Sequence, residues 1–468
     1  MPDSDTSRTM PETEATRENT YLTGGLPRLF ARTALPIILV MAMNGLFTLV
    51  DAYFLGQYAG ADALTAVTLM FPLYMLMIAL MTLVSTGFSS IYARLLGAGD
   101  LRSAADVFAQ AMTLSVVVCI AMMVAFALGG DTLALQIANG DQNLADLGHL
   151  YMLILIAFSP ISFILSANSD AFRCEGLVSV MAGISIGAAL LNILFDYILI
   201  VPLQMGVAGS AYGTVLANFC VLAVVVVVRL RHPGDIFRWG RLFSLKLQYW
   251  RSLLALGAPS TFNYVGISLT ASLTLYCLQV WASDHYAVIA GAYGVITRLL
   301  TFTYLPLIGL GIAYQTILGN NFGAGLRTRA DQATAIALGT AFVYSVVVQV
   351  LFLLFRSDIG FIFVQDQAMV DEIARILPLV TLLLFMAGPG IMIGMLFQAI
   401  GDARRAAVLT LSRTYLFGLP LIFSIPFLFG ETGIWYGGIL AEILATLLAV
   451  LVLWHRARRH NARWGLAV

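Results

Sequence analysis

Long apolar stretches, interrupted at regular intervals by short polar segments, dominate this 468-residue chain. Hydrophobic residues make up 60% of it and charged residues only 11%, against roughly 25% charged residues in an ordinary soluble domain. A helix that crosses a bilayer needs about 20 apolar residues, and the chain has enough of them for twelve such helices. The pattern therefore predicts an all-α polytopic membrane protein. It excludes a soluble enzyme, a disordered scaffold and a disulfide-stapled secreted domain.

Glycine, proline and charged residues mark the ends of the twelve predicted transmembrane helices. The first six are 29–56, 63–94, 104–128, 145–172, 177–201 and 208–230. The second six are 250–281, 287–318, 331–355, 370–399, 404–429 and 434–456. Three polar segments are predicted to be cytoplasmic: a disordered tail (1–24), a basic linker (231–249) and a basic tail (457–468).

The positions of the basic residues predict the orientation of these helices. With the N-terminus in the cytoplasm, 22 of the 25 basic residues fall in or beside cytoplasmic segments, including Arg404, Arg405 and Arg413. The opposite loops instead carry acidic residues: Asp62, Asp131, Asp141, Asp284, Asp366 and Glu431. Cytoplasmic loops of membrane proteins are enriched in Lys and Arg, so both termini are expected in the cytoplasm. The net charge of zero argues against a basic surface for nucleic acid.

The two halves of the sequence share landmarks at a nearly constant offset. The offset is 223 from Pro36 to Pro259, 226 from Gly97-Ala98-Gly99 to Gly323-Ala324-Gly325, 225 from Gly176 to Gly401, and 227 from Gly206-Val207 to Gly433-Ile434. Each half has six helices, so both cross the membrane in the same direction, as in parallel repeats related by an axis along the membrane normal. The repeat predicts an N-lobe (25–230) and a C-lobe (250–456) that face each other across a central cleft. That arrangement suits a transporter.

Four charged side chains fall well inside predicted helices: Asp51, Asp196, Arg298 and Glu442. A charge at the centre of a transmembrane helix costs about 2.5–3.5 kcal/mol on insertion scales, so each marks a candidate functional site. Arg298 is predicted either to pair with an acidic group or to hold an anionic group of a substrate. Glu442 is a candidate for a second site in the C-lobe.

Asp51 and Asp196 are predicted to form one site with two polar partners. Asn192 lies four residues before Asp196 and therefore shares its helix face. Counted at about 1.5 Å per residue, Asp51, Asp196 and Thr214 fall at a similar depth in the external half of the N-lobe. Burial and a neighbouring like charge favour the protonated form of a carboxyl group, and oxygen ligands also suit sodium. The cluster is therefore a candidate proton or sodium site, with a purely structural hydrogen-bonded cluster as the alternative.

Other features bear on the energy source and on helix shape. Pro36 and Pro259 are expected to bend the first and seventh helices, as hinges or as static kinks. The chain has no G-x-x-x-x-G-K-[ST] phosphate-binding loop, so ATP hydrolysis is not expected. The four cysteines show no C-x-x-C spacing that would indicate a zinc site.

With these residues in place, the chain resembles the multidrug and toxic compound extrusion (MATE) family of secondary transporters. The resemblance covers roughly residues 25–456 and rests on the two six-helix halves, the repeated Gly-Ala-Gly turns, and Pro36, Asp51, Asn192, Asp196 and Thr214. It implies export of amphipathic, often cationic compounds in exchange for protons or sodium ions. It also implies that Asp51 and Asp196 are the coupling carboxylates, and that Pro36 is a bend point.

The resemblance further implies an antiporter rather than an enzyme, in the cytoplasmic membrane of a prokaryote and without a cofactor other than the coupling ion. A monomer is expected, because one chain already encloses the cleft. Two alternatives stay open. A lipid-linked oligosaccharide flippase would need several basic residues in the cavity, where only Arg298 is clearly intramembrane. A lipid-modifying membrane enzyme would rest on Asp170 and Arg173 near the end of the fourth helix.

Overall fold

A computed structural model describes residues 19–231, 242–364 and 366–460. Apart from short 3-10 and π-helical turns, sixteen α-helices make up the fold of these residues. In the N-lobe they are α1 (Leu26–Phe54), α2 (Ala61–Gly97), α3 (Leu101–Ile137), α4 (Gln142–Ala157), α5 (Ser159–Cys174), α6 (Val178–Ile200) and α7 (Gly206–Arg231). In the C-lobe they are α8 (Trp250–Trp281), α9 (Tyr286–Gly323), α10 (Arg327–Leu354), α11 (Gln367–Thr381), α12 (Leu384–Ala399), α13 (Ala403–Leu411), α14 (Leu419–Ser424), α15 (Pro426–Phe429) and α16 (Thr432–His460).

The helices give twelve membrane spans, as predicted. Ten spans are long and apolar enough to cross a bilayer on their own, and the bent pairs α4–α5 and α11–α12 supply the other two. The one large error is the end of the third span, predicted at residue 128 and found at Ile137. Gly129 and Gly130 suggested a break, yet the helix continues through them, and the following Asp131 pairs with His149 at 3.2 Å.

Equivalent positions of the two lobes carry the two sharp bends. α4 and α5 meet at 51° around Phe158, and α11 and α12 meet at 46° around Leu383, its counterpart in the repeat. Gln349 of α10 caps the free backbone groups at the second break. Its side chain donates to Leu382 O (2.8 Å) and accepts from Phe385 N (3.0 Å). The break therefore leaves these two backbone groups satisfied.

The repeat is also visible in the backbone of its turns. Gly99 and Gly325 both have a φ of 72°, and Gly176 and Gly401 have 83° and 86°. These are left-handed conformations that glycine adopts without a Cβ penalty, and they end helices in the same way in each lobe. The constant sequence offset therefore reflects matching local structure in the two halves.

The lobes meet at one end of the bundle. We call it the basic end: it holds the start of α1 (Leu26), the end of α2 with Arg94, and the end of α9 (Gly323). Its contacts are reciprocal: a Cβ atom on Gly97 would overlap the carbonyl oxygen of Asn320, and one on Gly323 would overlap that of Arg94. Arg94 and Asn320 are themselves equivalent positions of the repeat, as are Gly97 and Gly323. Only glycine allows backbones to approach this closely, so the repeated turns seal the basic end.

The segment 19–24 also belongs to the basic end. Although the sequence predicts a disordered tail over residues 1–24, Tyr21 is only 1% exposed and its hydroxyl donates to Arg173 O at 2.6 Å. Asn321 of the C-lobe donates in turn to Tyr21 O at 3.1 Å. The aromatic ring and these bonds hold the segment between the lobes. The remainder of the predicted tails and most of the linker (1–18, 232–241 and 461–468) lie outside the described residues.

The opposite end of the bundle carries the acidic loop residues, such as Asp62, Asp141 and Asp284, and we call it the acidic end. Nearer the middle of the helices, the hydrogen bond from Thr261 to Ala79 O (3.1 Å) and the packing of Gly309 on Ile38 also join the lobes. Further along, α8 and α9 carry exposed aromatic side chains such as Phe262 (50%) and Phe302 (56%). These interlobe contacts of the described residues close the basic end, which is the arrangement expected of a cleft that opens towards the acidic end.

A buried ion pair near the basic end provides a test of stability. Arg229 contacts both carboxylate oxygens of Glu175 at 2.9 and 2.7 Å, and Tyr92 donates to Glu175 at 2.8 Å. Glu175→Gln removes the carboxylate that contacts the buried Arg229 guanidinium, so we expect the free energy of unfolding to fall by about 3–5 kcal/mol. Thermal unfolding in detergent measures the loss. Glu372→Gln at the partly exposed pair with Arg375 is the control, with an expected cost of about 0–1 kcal/mol, and equal losses would contradict the prediction.

Candidate functional site

The four predicted coupling residues come together inside the N-lobe. Asp51 on α1, Asn192 and Asp196 on α6, and Thr214 on α7 form one polar cluster. Asp196 is fully buried and Asn192 is 4% exposed. The i, i+4 spacing on α6 and the packing of α6 against α7 produce this arrangement. The cluster is therefore a real structural unit in an otherwise apolar bundle.

Asn192 links α6 to α7. Its amide contacts the Thr214 hydroxyl at 3.0 Å. In the orientation that satisfies both ends of the amide, the oxygen accepts from Thr214 N and Oγ1 (3.0 Å each) and the nitrogen donates to Asp196 Oδ2 (3.3 Å). Asn192 thus presents a donor to the buried carboxylate and fixes its position relative to α7.

The two carboxyl groups are neighbours. Asp51 Oδ1 accepts a hydrogen bond from Ser210 at 2.7 Å, and the side chains of Asp51 and Asp196 lie within hydrogen-bonding reach of each other. Among the described residues, Asp196 Oδ1 has no donor. An ionised carboxylate only accepts hydrogen bonds, so a proton held by one of the two acids would supply the missing donor.

Three further residues complete the cluster and were not found from the sequence. Ser210 lies one turn before Thr214 on α7, a spacing that could have revealed it. Tyr151, 8% exposed, is within hydrogen-bonding reach of Ser210. Gly213 is needed because a Cβ atom there would overlap Asp196 Oδ1. No sequence signal marks Gly213 or Tyr151, because both depend on how α4, α6 and α7 pack.

Among the described residues, the two charged candidates of the C-lobe, Arg298 and Glu442, do not form an ion pair with each other. Glu442 on α16 pairs with Arg413 at 2.7 Å, and Arg413 also contacts the Tyr304 hydroxyl at 3.4 Å. The sequence pattern places Arg413 beside a cytoplasmic loop, but it lies in the π-helical segment Ser412–Gly418, inside the span Ala403–Phe429. Its charge therefore neutralises Glu442 instead of marking the end of a span. Arg298 is solvent-exposed and has no carboxylate partner among the described residues.

The two predicted bend points lie within continuous helices. Pro36 is inside α1 and Pro259 is inside α8. Between separate helices, bends of more than 40° occur at α4–α5 and at α11–α12, and the bending of α1 and α8 at their prolines stays a prediction. Pro160 opens α5, so one of these breaks does coincide with a proline.

Similarity to known proteins decides the family. A family model described as MatE matches residues 36–198 and 268–424, which together are more than half of the chain. The chain belongs to the MATE family. It is similar to the multidrug export protein MepA of Staphylococcus aureus (strain NCTC 8325 / PS 47), at 23% identity over 423 residues, 90% of this chain and 92% of MepA. It is 25% identical to the multidrug and toxin extrusion protein 1 of Mus musculus over 319 residues, 65% of this chain and 54% of that protein.

Solved MATE structures share the fold. One, described as the outward-facing conformation of a MATE family transporter of the MOP superfamily, superimposes with a TM-score of 0.84 at 23% identity, covering 95% of this chain and 98% of its own. A second, a MATE in a bent conformation, gives a TM-score of 0.85 at 23% identity with the same coverage. This MATE protein is therefore an integral membrane transporter.

The family and the contacts also argue against both alternative functions, the membrane enzyme and the flippase. Asp170 and Arg173, the candidates for a membrane enzyme, form an ion pair at 2.6 Å, and Arg173 donates to Ile312 O of the C-lobe. This pair joins the lobes rather than forming a catalytic site. Nothing in the family match or in the two relatives described above favours a lipid-linked oligosaccharide flippase.

Proposed function

We propose that this MATE protein is an antiporter that exports amphipathic, often cationic compounds across the cytoplasmic membrane of a prokaryote in exchange for protons. The names of its relatives support the export of drugs. The observation that carries the exchange mechanism is the buried pair of carboxyl groups, Asp51 and Asp196, beside one unsatisfied carboxylate oxygen. The lobes that enclose the cleft belong to one chain, so we propose that a monomer performs transport.

The contacts favour a proton over sodium. Two ionised carboxylates at close range repel each other, whereas a single shared proton turns the same contact into a hydrogen bond. The remaining groups, Ser210, Asn192 and Thr214, already make hydrogen bonds within the cluster. Sodium would need several of these oxygens to leave their present partners, since hard cations are held by multiple oxygen ligands. The pair is thus suited to binding and releasing one proton.

The cleft supports alternating access. By the positive-inside rule, the arginines at the basic end favour a cytoplasmic position for that end. Both termini then lie in the cytoplasm, and the cleft opens to the outside. In this state the pair takes up a proton and the compound leaves. Opening of the basic end then allows proton release and binding of the next compound from the cytoplasm.

Transport driven by separate gradients tests the proposal. In everted membrane vesicles from cells that express the protein, an acidic interior should concentrate a permanently charged fluorescent cation about tenfold per pH unit. One pH unit is worth about 1.4 kcal/mol, and the exchange of one proton for one monovalent cation is electroneutral. A sodium gradient without a pH gradient should produce no accumulation. Accumulation with sodium alone would overturn the choice of ion, and no response to either gradient would overturn the antiporter.

A further inference from the structure

Arg298 lies on the face of α9 that looks into the cleft. Gly309 and Thr316 follow it on the same helix by about three and about five whole turns. Both of those residues touch the N-lobe: Gly309 packs on Ile38, and Thr316 is hydrogen-bonded to Arg173. The face that seals the lobes near the basic end therefore continues, further along α9, as the C-lobe wall of the open cleft.

The charge of Arg298 is not neutralised by the protein. Its side chain is exposed, and no carboxylate in residues 19–231, 242–364 or 366–460 pairs with it. The other arginine inside a C-lobe span, Arg413, is paired with Glu442 at 2.7 Å. An unpaired charge within a span is costly in lipid, so the cleft must supply water or a ligand to Arg298.

Arg298 and the acidic pair lie in different lobes, both on the acidic-end side of the helices that carry them. Arg298 is twelve residues from the start of α9 at Tyr286, or about 18 Å. Asp51 is eight residues from Ala59, where the π-helical extension of α1 ends, or about 12 Å. Phe302, one turn from Arg298 on the same helix, adds an exposed aromatic surface beside it.

We propose that Arg298 binds an acidic group of the substrate, so that the preferred substrates are amphipathic zwitterions rather than simple cations. The proposal rests on the proposed function, because it assigns the cationic end of the same substrate to the carboxyl pair, Asp51 and Asp196. A guanidinium group offers paired donors that match a carboxylate. Arginine does not lose its proton in proteins, so Arg298 holds the acidic end throughout while protonation of the carboxyl pair releases the cationic end.

A matched pair of dyes tests this assignment. A rhodamine ethyl ester is a cation, and its free acid is a zwitterion of nearly the same shape. Equilibrium binding to the detergent-purified full chain should favour the free acid. Arg298→Gln should weaken binding of the acid by about tenfold or more and leave the ester unchanged, and Arg298→Lys should retain part of the preference because it keeps the charge.

The same measurements separate the possible failures. Equal weakening of both dyes by Arg298→Gln, or no change in either, overturns the role of Arg298. Because binding is measured without a gradient, it does not depend on ion coupling. If the wild-type protein shows the preference for the acid but no gradient drives its transport, the antiport mechanism fails while the assignment of Arg298 stands. If Arg298→Gln still exports the ester at the wild-type level but its affinity for the acid is unchanged, the assignment fails while the antiporter stands.

Discussion

Asp196→Asn is expected to abolish gradient-driven export while the protein still folds and binds its substrates. The asparagine keeps the size of the fully buried side chain but cannot exchange a proton, so one of the two acids of the coupling pair is permanently neutral. Asp51→Asn should have the same effect, since the proposed proton lies between the two groups. In everted vesicles with an acidic interior, accumulation of the fluorescent cation should fall from about tenfold per pH unit to none.

The pH dependence of binding provides a second measurement on the same variants. In the wild-type protein a proton and the cation compete for the carboxyl pair, so affinity for the cation should fall as the pH is lowered. With Asp196→Asn this dependence should flatten. Asp131→Asn is the control, because the Asp131 side chain is 90% exposed and its ion-pair partner is His149 rather than a residue of the cluster. Normal coupling in either Asp51→Asn or Asp196→Asn would show that the cluster only holds helices together.

The sequence was sufficient for the parts of the site that follow from helix geometry. Asn192 and Asp196 share a helix face by spacing alone, and the cost of a charge in a membrane singled out Asp51 and Asp196. Their convergence with Thr214 followed from counting depth along three helices. Helical periodicity and the hydrophobic environment determine these features, and both can be derived from the sequence alone.

Features that depend on packing between helices could not be predicted. The side chain of Gln349 is what stabilises the break between α11 and α12, and it lies on a different helix. The role of Arg413 was missed because an arginine ten residues into a span looks like a boundary signal until its partner Glu442 is seen. The glycine repeats predicted turns, whereas their second role, allowing the two lobes to touch at the basic end, appears only in three dimensions.

A further contact at the basic end lies on the pseudo-two-fold axis of the repeat. Ala93 and Gly319 are equivalent positions of the repeat, at the same offset as Gly97 and Gly323, and they touch each other. Equivalent positions can meet only at the axis that relates them. Rocking of the lobes to open the basic end must separate this pair, because α2 and α9 then move apart at that end.

A disulfide across this pair is therefore expected to stop transport reversibly. A Cβ atom built on Gly319 lies 3.0 Å from the Ala93 Cβ, so a shift of about 0.5 Å between α2 and α9 gives the spacing of about 3.5–4.5 Å found in disulfides. Ala93→Cys with Gly319→Cys, in a background without the exposed Cys220, should cross-link under oxidation and reduce export to background. A reductant should restore export, because cleavage of the bond lets the lobes separate again.

Two controls are needed to interpret a loss of export in the cross-linked protein. Each single-cysteine variant should export normally under the same oxidant, which excludes damage at other sites and pairing with Cys174 of α5. The cross-linked protein should still bind substrate from the outside, because the cleft at the acidic end is unaffected by the bond. If fully cross-linked protein exports at the uncross-linked rate, the basic end does not open during the cycle, and transport does not proceed by a rocking motion that separates the two lobes at that end.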